Sequence, residues 1–203
     1  MKEIRVRCTF IEEVLGSLPA DPDVYKKFIA SKAPDAQTLE EEVAEFGEDT
    51  VLDNKVTVFL HDDAGHPYLY DYQVRGFLKE AIGFLKKVPD TACSKITAHK
   101  KAVDGLIFVK ERKIPFLTPT GVQVPKHMMG YCQRPLRAST AQGERIALAI
   151  SETVPAGCYV EFTIQMFLDS HEKAIREALD YGQYHGFLQW RSAKKGAFTW
   201  EEV

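Results

Sequence analysis

At 203 residues, with 45% hydrophobic and 27% charged side chains, the chain holds enough apolar material for one sizeable core and lies far from a disordered composition. It is long for one minimal domain and short for two, so the expectation is a single domain over 1–203 that carries insertions. A formal net charge of -3 excludes a globally basic nucleic-acid arm, and any nucleic-acid site has to be local. Cys8, Cys93, Cys132 and Cys158 form no C-x-x-C pair and read as reduced thiols. The first residues lack a signal-peptide apolar region, and no stretch nears the roughly 20 apolar residues that span a bilayer. The reading is an intracellular protein, in whatever cell makes it, with no membrane partner.

Residues 3 to 10 alternate, with Ile4, Val6, Cys8 and Phe10 on one face and Arg5, Arg7 and Thr9 on the other, which is the period of a half-buried strand. Residues 11–66 read as an insertion, with a short helix at 24–31, an acidic run at 40–48 and a strand at 56–60. Apolar residues at helical spacing (Phe77, Leu78, Ala81, Ile82, Leu85) predict an amphipathic helix over 74–87. The apolar run in 104–110 predicts a buried strand, and the prolines and glycines of 111–143 predict a second, irregular insertion. Strands are predicted at 145–150 and 158–168. Asp169 with Glu172 predicts a capping box opening a helix that buries Ala174, Ile175, Ala178 and Leu179, and a last strand or hairpin closes 187–200. The order strand, helix, strand, strand, helix, strand predicts an α+β fold, a ferredoxin-like (RRM-like) βαββαβ sheet with two helices on one face.

Three segments carry a resemblance. Gly65, Pro67 and Tyr68 precede Arg75-Gly76 at a helix start, with Tyr70 to Gln73 standing where a small-residue turn is usual. Pro155-Ala-Gly157 leads into the alternating strand and its following helix. Tyr181 to Gly196 is a glycine-bounded basic segment, with Leu188 within it and Ala197 just after it standing where glycine is usual. Together they resemble the RAMP superfamily, the ferredoxin-fold proteins that form the backbone of CRISPR effector complexes or process guide RNA. The pattern also resembles phage or prophage proteins. In that family the first insertion often carries a catalytic acid and the second forms a thumb-like hairpin. Asp21, Asp23 and Asp35 are the acids available here, and no motif selects among them.

What the residues themselves offer is a set of basic and glycine positions. Gly182, Gly186, Arg191, Lys194, Lys195 and Gly196 have the parts of a phosphate-binding loop, since glycine lets backbone N–H groups approach an oxyanion and the cations bond it. The same residues fit close helix packing and an exposed turn. Arg75 and Lys79 on the first helix, with Arg134 and Arg137, are further phosphate candidates, although Arg75 can equally pair with Asp71. Arg5 and Arg7 would line an open sheet face, with Tyr159 and Phe167 as stacking or interface aromatics. The six histidines show no metal-ligand spacing, and no phosphate-loop, dinucleotide or serine-hydrolase motif is present, so no cofactor is expected. Taken with the resemblance, these residues imply a non-enzymatic protein in the cytoplasm of a bacterial or phage-infected cell that binds single-stranded RNA or other nucleic acid, as a homo-oligomer or in a protein complex. The alternatives are a protein-interaction module of a phage or mobile element, and a metal-independent endoribonuclease using His99 or His185.

Overall fold

A computed structural model of the chain describes residues 1–20, 56–140 and 143–203, apart from the side chains of 135–140 and 143–148. The predicted helix at 24–31, the acidic run and Asp21, Asp23 and Asp35 lie outside the described residues. In chain order the elements are β1 (Lys2–Phe10), β2 (Val14–Leu15), β3 (Leu18–Pro19), β4 (Val56–Val58), β5 (Leu60–His61), β6 (Pro67–Tyr70), α1 (Asp71–Leu85), α2 (His99–Leu106), β7 (Ile107–Val109), β8 (Lys113–Pro115), β9 (Gly130–Thr140), β10 (Gly143–Val154), β11 (Tyr159–Met166), α3 (Glu172–Asp180) and β12 (Phe198–Glu202). The fold is α+β.

The central sheet has the order β12-β1-β11-β7, antiparallel throughout. Because side chains alternate across a strand, the register sets Ile4 opposite Ile164, Val6 opposite Phe162 and Cys8 opposite Val160, all buried on one face. Helices α1 and α3 cover that face, and Phe77, Leu78, Ile82, Ile175 and Leu179 join the strand residues in one core cluster. Four phenylalanines concentrate at one end of it. Phe187 stacks on Phe198 at 4.7 Å between ring centroids, with Phe77 4.8 Å from Phe187 and Phe10 6.0 Å away. Each such ring, fully buried, contributes on the order of 1.5–3 kcal/mol.

Two smaller sheets flank this layer. One runs β2-β10-β4-β3 with β9 paired to β10, and the other runs β5-β6-β8. Glu152 of β10 is buried between them, where it accepts a hydrogen bond from the Phe59 N–H at 3.0 Å and meets His61 Nε2 at 3.3 Å. A buried carboxylate persists only with such partners.

Several expectations need correction. Residues 104–106 complete α2 instead of opening a strand, and only 107–109 are extended. The glycines and prolines of 111–143 do not make the whole stretch irregular: it holds β8, and its last part is the 11-residue β9. Pro135 is tolerated there because β9 pairs with β10 alone among the described residues, so it is an edge strand where a missing N–H costs no ladder bond. Asp169 caps no helix; it begins a 3-10 turn (Asp169–His171), and α3 starts after it with His171 at the N-cap and no side-chain cap. Helix α1 starts at Asp71, three residues before the predicted start, where the Gln73 side chain accepts a hydrogen bond from the Tyr70 N–H at 2.9 Å.

Glu177 of α3 ties the helix to a second 3-10 turn (Cys93–Lys95), accepting N–H bonds from Ala92 at 2.9 Å and Cys93 at 3.0 Å. Burial opposes its ionisation, but these N–H bonds hold its carboxyl below the usual carboxylate range. Burial, with Glu177 adding to it, pushes the Cys93 thiol up to about 12. A depressed folded pKa adds stability that is present above the unfolded value and is lost as pH falls through the folded one. Glu177→Ala is therefore expected to cost about 1–3 kcal/mol at neutral pH. Urea titrations should show the gap to wild type narrowing as pH drops through the carboxylate range.

Candidate nucleic-acid interface

The segment between α3 and β12 is held at both ends by close backbone contact. Gly186 and Gly196 cross so tightly that a Cβ on Gly186 would lie 1.9 Å from the Gly196 carbonyl carbon. The Phe187 N–H donates to the Gly196 carbonyl at 3.0 Å, and the Gly196 N–H donates to the Glu13 carbonyl at 2.8 Å. With Phe187 buried in the aromatic core, residues 188–195 form a loop pinned at its neck. Leu188, Trp190 and Lys194 adopt positive φ (64°, 52° and 61°), a conformation that costs non-glycine residues on the order of 1–3 kcal/mol each and needs surrounding contacts to hold it.

Those contacts put Trp190 outward. The residue is 41% exposed, and the Arg134 guanidinium lies 5.1 Å from the ring centroid. Arg134 stands on β9, opposite Ala149 of β10, and donates from Nη2 to the Gln189 side-chain oxygen at 2.6 Å. Its Nε and Nη1 are buried with no hydrogen-bond partner, and no carboxylate pairs with it among the described residues. An aromatic face beside a cation is the pairing that single-stranded nucleic acid uses, the base stacking and the guanidinium meeting the phosphate.

The other predicted cations are mostly committed. Arg191 bonds Glu80 of α1, and His185 Nε2 lies 3.1 Å from the same carboxylate, which fastens the loop to the helix. That gives His185 a partner the sequence did not suggest. Lys195 pairs with Glu13 at 2.9 Å and Glu12 at 3.4 Å, and the Glu13 hydrogen bond raises its pKa. Lys79 pairs with Asp104 of α2. Arg75 sits in the second turn of α1, not at its start, and bonds Asp71 at 3.2 Å. Lys194 is exposed near the neck of the loop and makes no ion pair among the described residues. Arg137 lies on β9, but its side chain is outside those described.

The glycines pack against protein. A Cβ on Gly182 would come within 2.2 Å of the Phe198 ring, and one on Gly196 within 2.5 Å of the Phe187 carbonyl oxygen. The structure thus brings Arg134, Arg191, Lys194 and Lys195 to one loop and its neighbours, while Arg75 pairs with Asp71. Sequence reasoning missed Trp190 and Gln189, and the available signal was an aromatic set among the basic residues of 187–196.

The open sheet face is a closed ionic layer. Arg5 and Arg7 both pair with Glu161, at 3.0 and 2.7 Å, and Arg7 also reaches Glu201 at 3.3 Å. Burial works against Glu161 ionising, but hydrogen bonds from the two arginines hold its carboxyl below the ordinary range. Tyr159 lies under Arg7, 4.6 Å from centroid to guanidinium carbon, so it is covered on that side. Exposed Phe167 packs on Phe108 at 5.9 Å.

No protein-family profile matches the chain, and no curated protein matches it in sequence. Among solved structures, a chain of the type III-B Cmr-beta complex bound to cognate target RNA, determined by cryo-electron microscopy, aligns with 100% of this chain at a TM-score of 0.53 and 12% identity. This chain spans 59% of that one. A chain of a type IV-B CRISPR complex aligns with 100% of this chain and 90% of its own length, at a TM-score of 0.51 and 13% identity. At these identities the likeness is one of fold. No described helix is long and apolar enough to cross a membrane.

Proposed function

We propose that the chain is a RAMP-like protein of ferredoxin-like topology, one domain with insertions near 11–66 and 111–143, that binds single-stranded RNA without cleaving it as part of a larger assembly. The order β12-β1-β11-β7, with α1 between β1 and β7 and α3 between β11 and β12, supports the βαββαβ reading. The observation that carries the RNA reading is Trp190, exposed over an Arg134 that has no carboxylate partner among the described residues. The fold shared with a chain from an RNA-bound complex supports it. The β9–β10 hairpin, 11 and 12 residues long, supplies the element from which Arg134 projects, and its first strand lies in the second insertion, where the family resemblance implies a thumb-like hairpin.

Ultraviolet cross-linking of a bound single-stranded RNA, followed by peptide mass spectrometry, is expected to map adducts to 186–196 and 130–140. Adducts confined to 159–166 on the open sheet face, or none, would overturn the reading. One observation favours a second reading, a protein-interaction module: Arg191 and Lys195 are already neutralised by Glu80, Glu12 and Glu13. In that case a partner protein, and no RNA, would protect Trp190 from quenching.

A further inference from the structure

An open cleft of about 710 Å³ lies between the turn at 93–95, α2 and the start of α3. It shares no residue with the loop at 186–196. Ile96, Ala102 and Leu106 give it an apolar wall. Lys95, Lys101 and Lys173 enter it from three different elements, and no carboxylate is among its lining residues.

The chain carries a net charge of -3, and Arg5, Lys79, Arg112, Arg176 and Lys195 each hold a carboxylate. The cleft lysines make no ion pair among the described residues. Lys173 does feel the Glu177 carboxylate one turn on, but that group already accepts the Ala92 and Cys93 N–H bonds. Three like charges gathered around a concave surface repel one another, and an anion relieves that repulsion.

A second feature is independent of the lysines. His171, only 8% exposed, lines the cleft, and its Nδ1 is buried with no hydrogen-bond partner among the described residues. It stands at the N-cap of α3, nine residues long, beside Ser170 and Lys173; the helix has no side-chain cap, and the Glu172 carboxylate in its first turn is held by Lys2 and Arg176.

We propose that this cleft binds the 5′-polyphosphate group of a nucleotide. The phosphates lie among Lys95, Lys101, Lys173 and the start of α3, and the nucleoside lies against Ile96, Ala102 and Leu106. Three cations from three elements match the multiple charges of a polyphosphate better than those of a single phosphate, and the volume suits a nucleotide-sized ligand. The group has two sources, a free nucleotide and the 5′ end of an RNA.

Titration calorimetry on the full chain with ATP, adenosine and inorganic phosphate tests the site. ATP is expected to bind, adenosine to show no heat, and phosphate to bind far more weakly. Lys101→Met should weaken ATP by about tenfold, as expected when one charge-assisted hydrogen bond is removed, and Lys95→Glu with Lys101→Glu by more. Thermal unfolding monitors the fold of both variants, and Arg134→Glu should leave ATP binding unchanged. Absence of ATP binding, or binding unchanged in Lys101→Met, would overturn the site. In Arg134→Glu protein, preference for a 5′-triphosphorylated oligoribonucleotide over its 5′-hydroxyl form, abolished on adding Lys101→Met, assigns the RNA end. ATP binding without that preference assigns the free nucleotide.

Discussion

Gly186→Ala is expected to destabilise the protein by more than about 3 kcal/mol, at the upper end of what overpacking costs. The added Cβ would sit 1.9 Å from the Gly196 carbonyl carbon, 2.1 Å from its oxygen and 2.2 Å from the Ala197 nitrogen. All three are backbone atoms, so no rotamer change relieves the overlap and the two chain segments of the loop neck must separate. Separation breaks the hydrogen bond from the Phe187 N–H to Gly196 and draws Phe187 from its stack on Phe198. Gly76→Ala is the matched control. Gly76 lies within α1, exposed, with nothing within 4 Å of a Cβ, so alanine there should stabilise by about 0.5–1 kcal/mol through helix propensity. Denaturant midpoints of the two variants, moving in opposite directions, would separate a packing glycine from a helix-surface one. If Gly186→Ala unfolds at the wild-type midpoint, the account of the loop neck is wrong.

The parts of the fold that were legible are those in which one periodicity is repeated without competition. β1 alternates from Ile4 to Phe10 and β11 over most of its length, and α1 and α3 bury residues at helical spacing, so their faces could be read directly. Residues 104–106 misled because Leu106 and Ile107 belong to different elements joined without a break, and an apolar run carries no mark of where a helix becomes a strand. β9 was hidden by Pro135 and Gly130, residues that argue against a central strand but not against an edge.

The site was legible in its chain positions and illegible in its pairings. A sequence displays Arg191 and Lys195 as free cations because their carboxylates, Glu80 and Glu13, lie more than 100 residues away. Arg75 was the exception, since its partner Asp71 is one turn back and the alternative could be weighed from spacing. Gly182 and Gly186 suit a phosphate loop and a tight crossing equally well until Phe198 and Gly196 are in place beside them.

The second large effect is on binding. Trp190→Ala removes the exposed ring and should weaken single-stranded RNA by about 1–3 kcal/mol, or roughly five- to 150-fold, if one base stacks there. Arg134→Glu replaces the guanidinium under the ring with a charge that repels phosphate. It should weaken binding by at least about tenfold and flatten the dependence on salt by about 0.7 in log–log slope for each phosphate no longer neutralised. Trp190 is exposed and Arg134 stands on an edge strand, and the melting temperature of each variant checks that the fold is kept.

The most direct test is therefore the affinity of wild type and Arg134→Glu for one single-stranded RNA, measured at two salt concentrations. The account predicts wild-type binding that weakens steeply with salt, and a variant that is weaker at low salt and less salt-dependent. Binding by wild type that ignores salt, or a variant indistinguishable from it, would contradict the account.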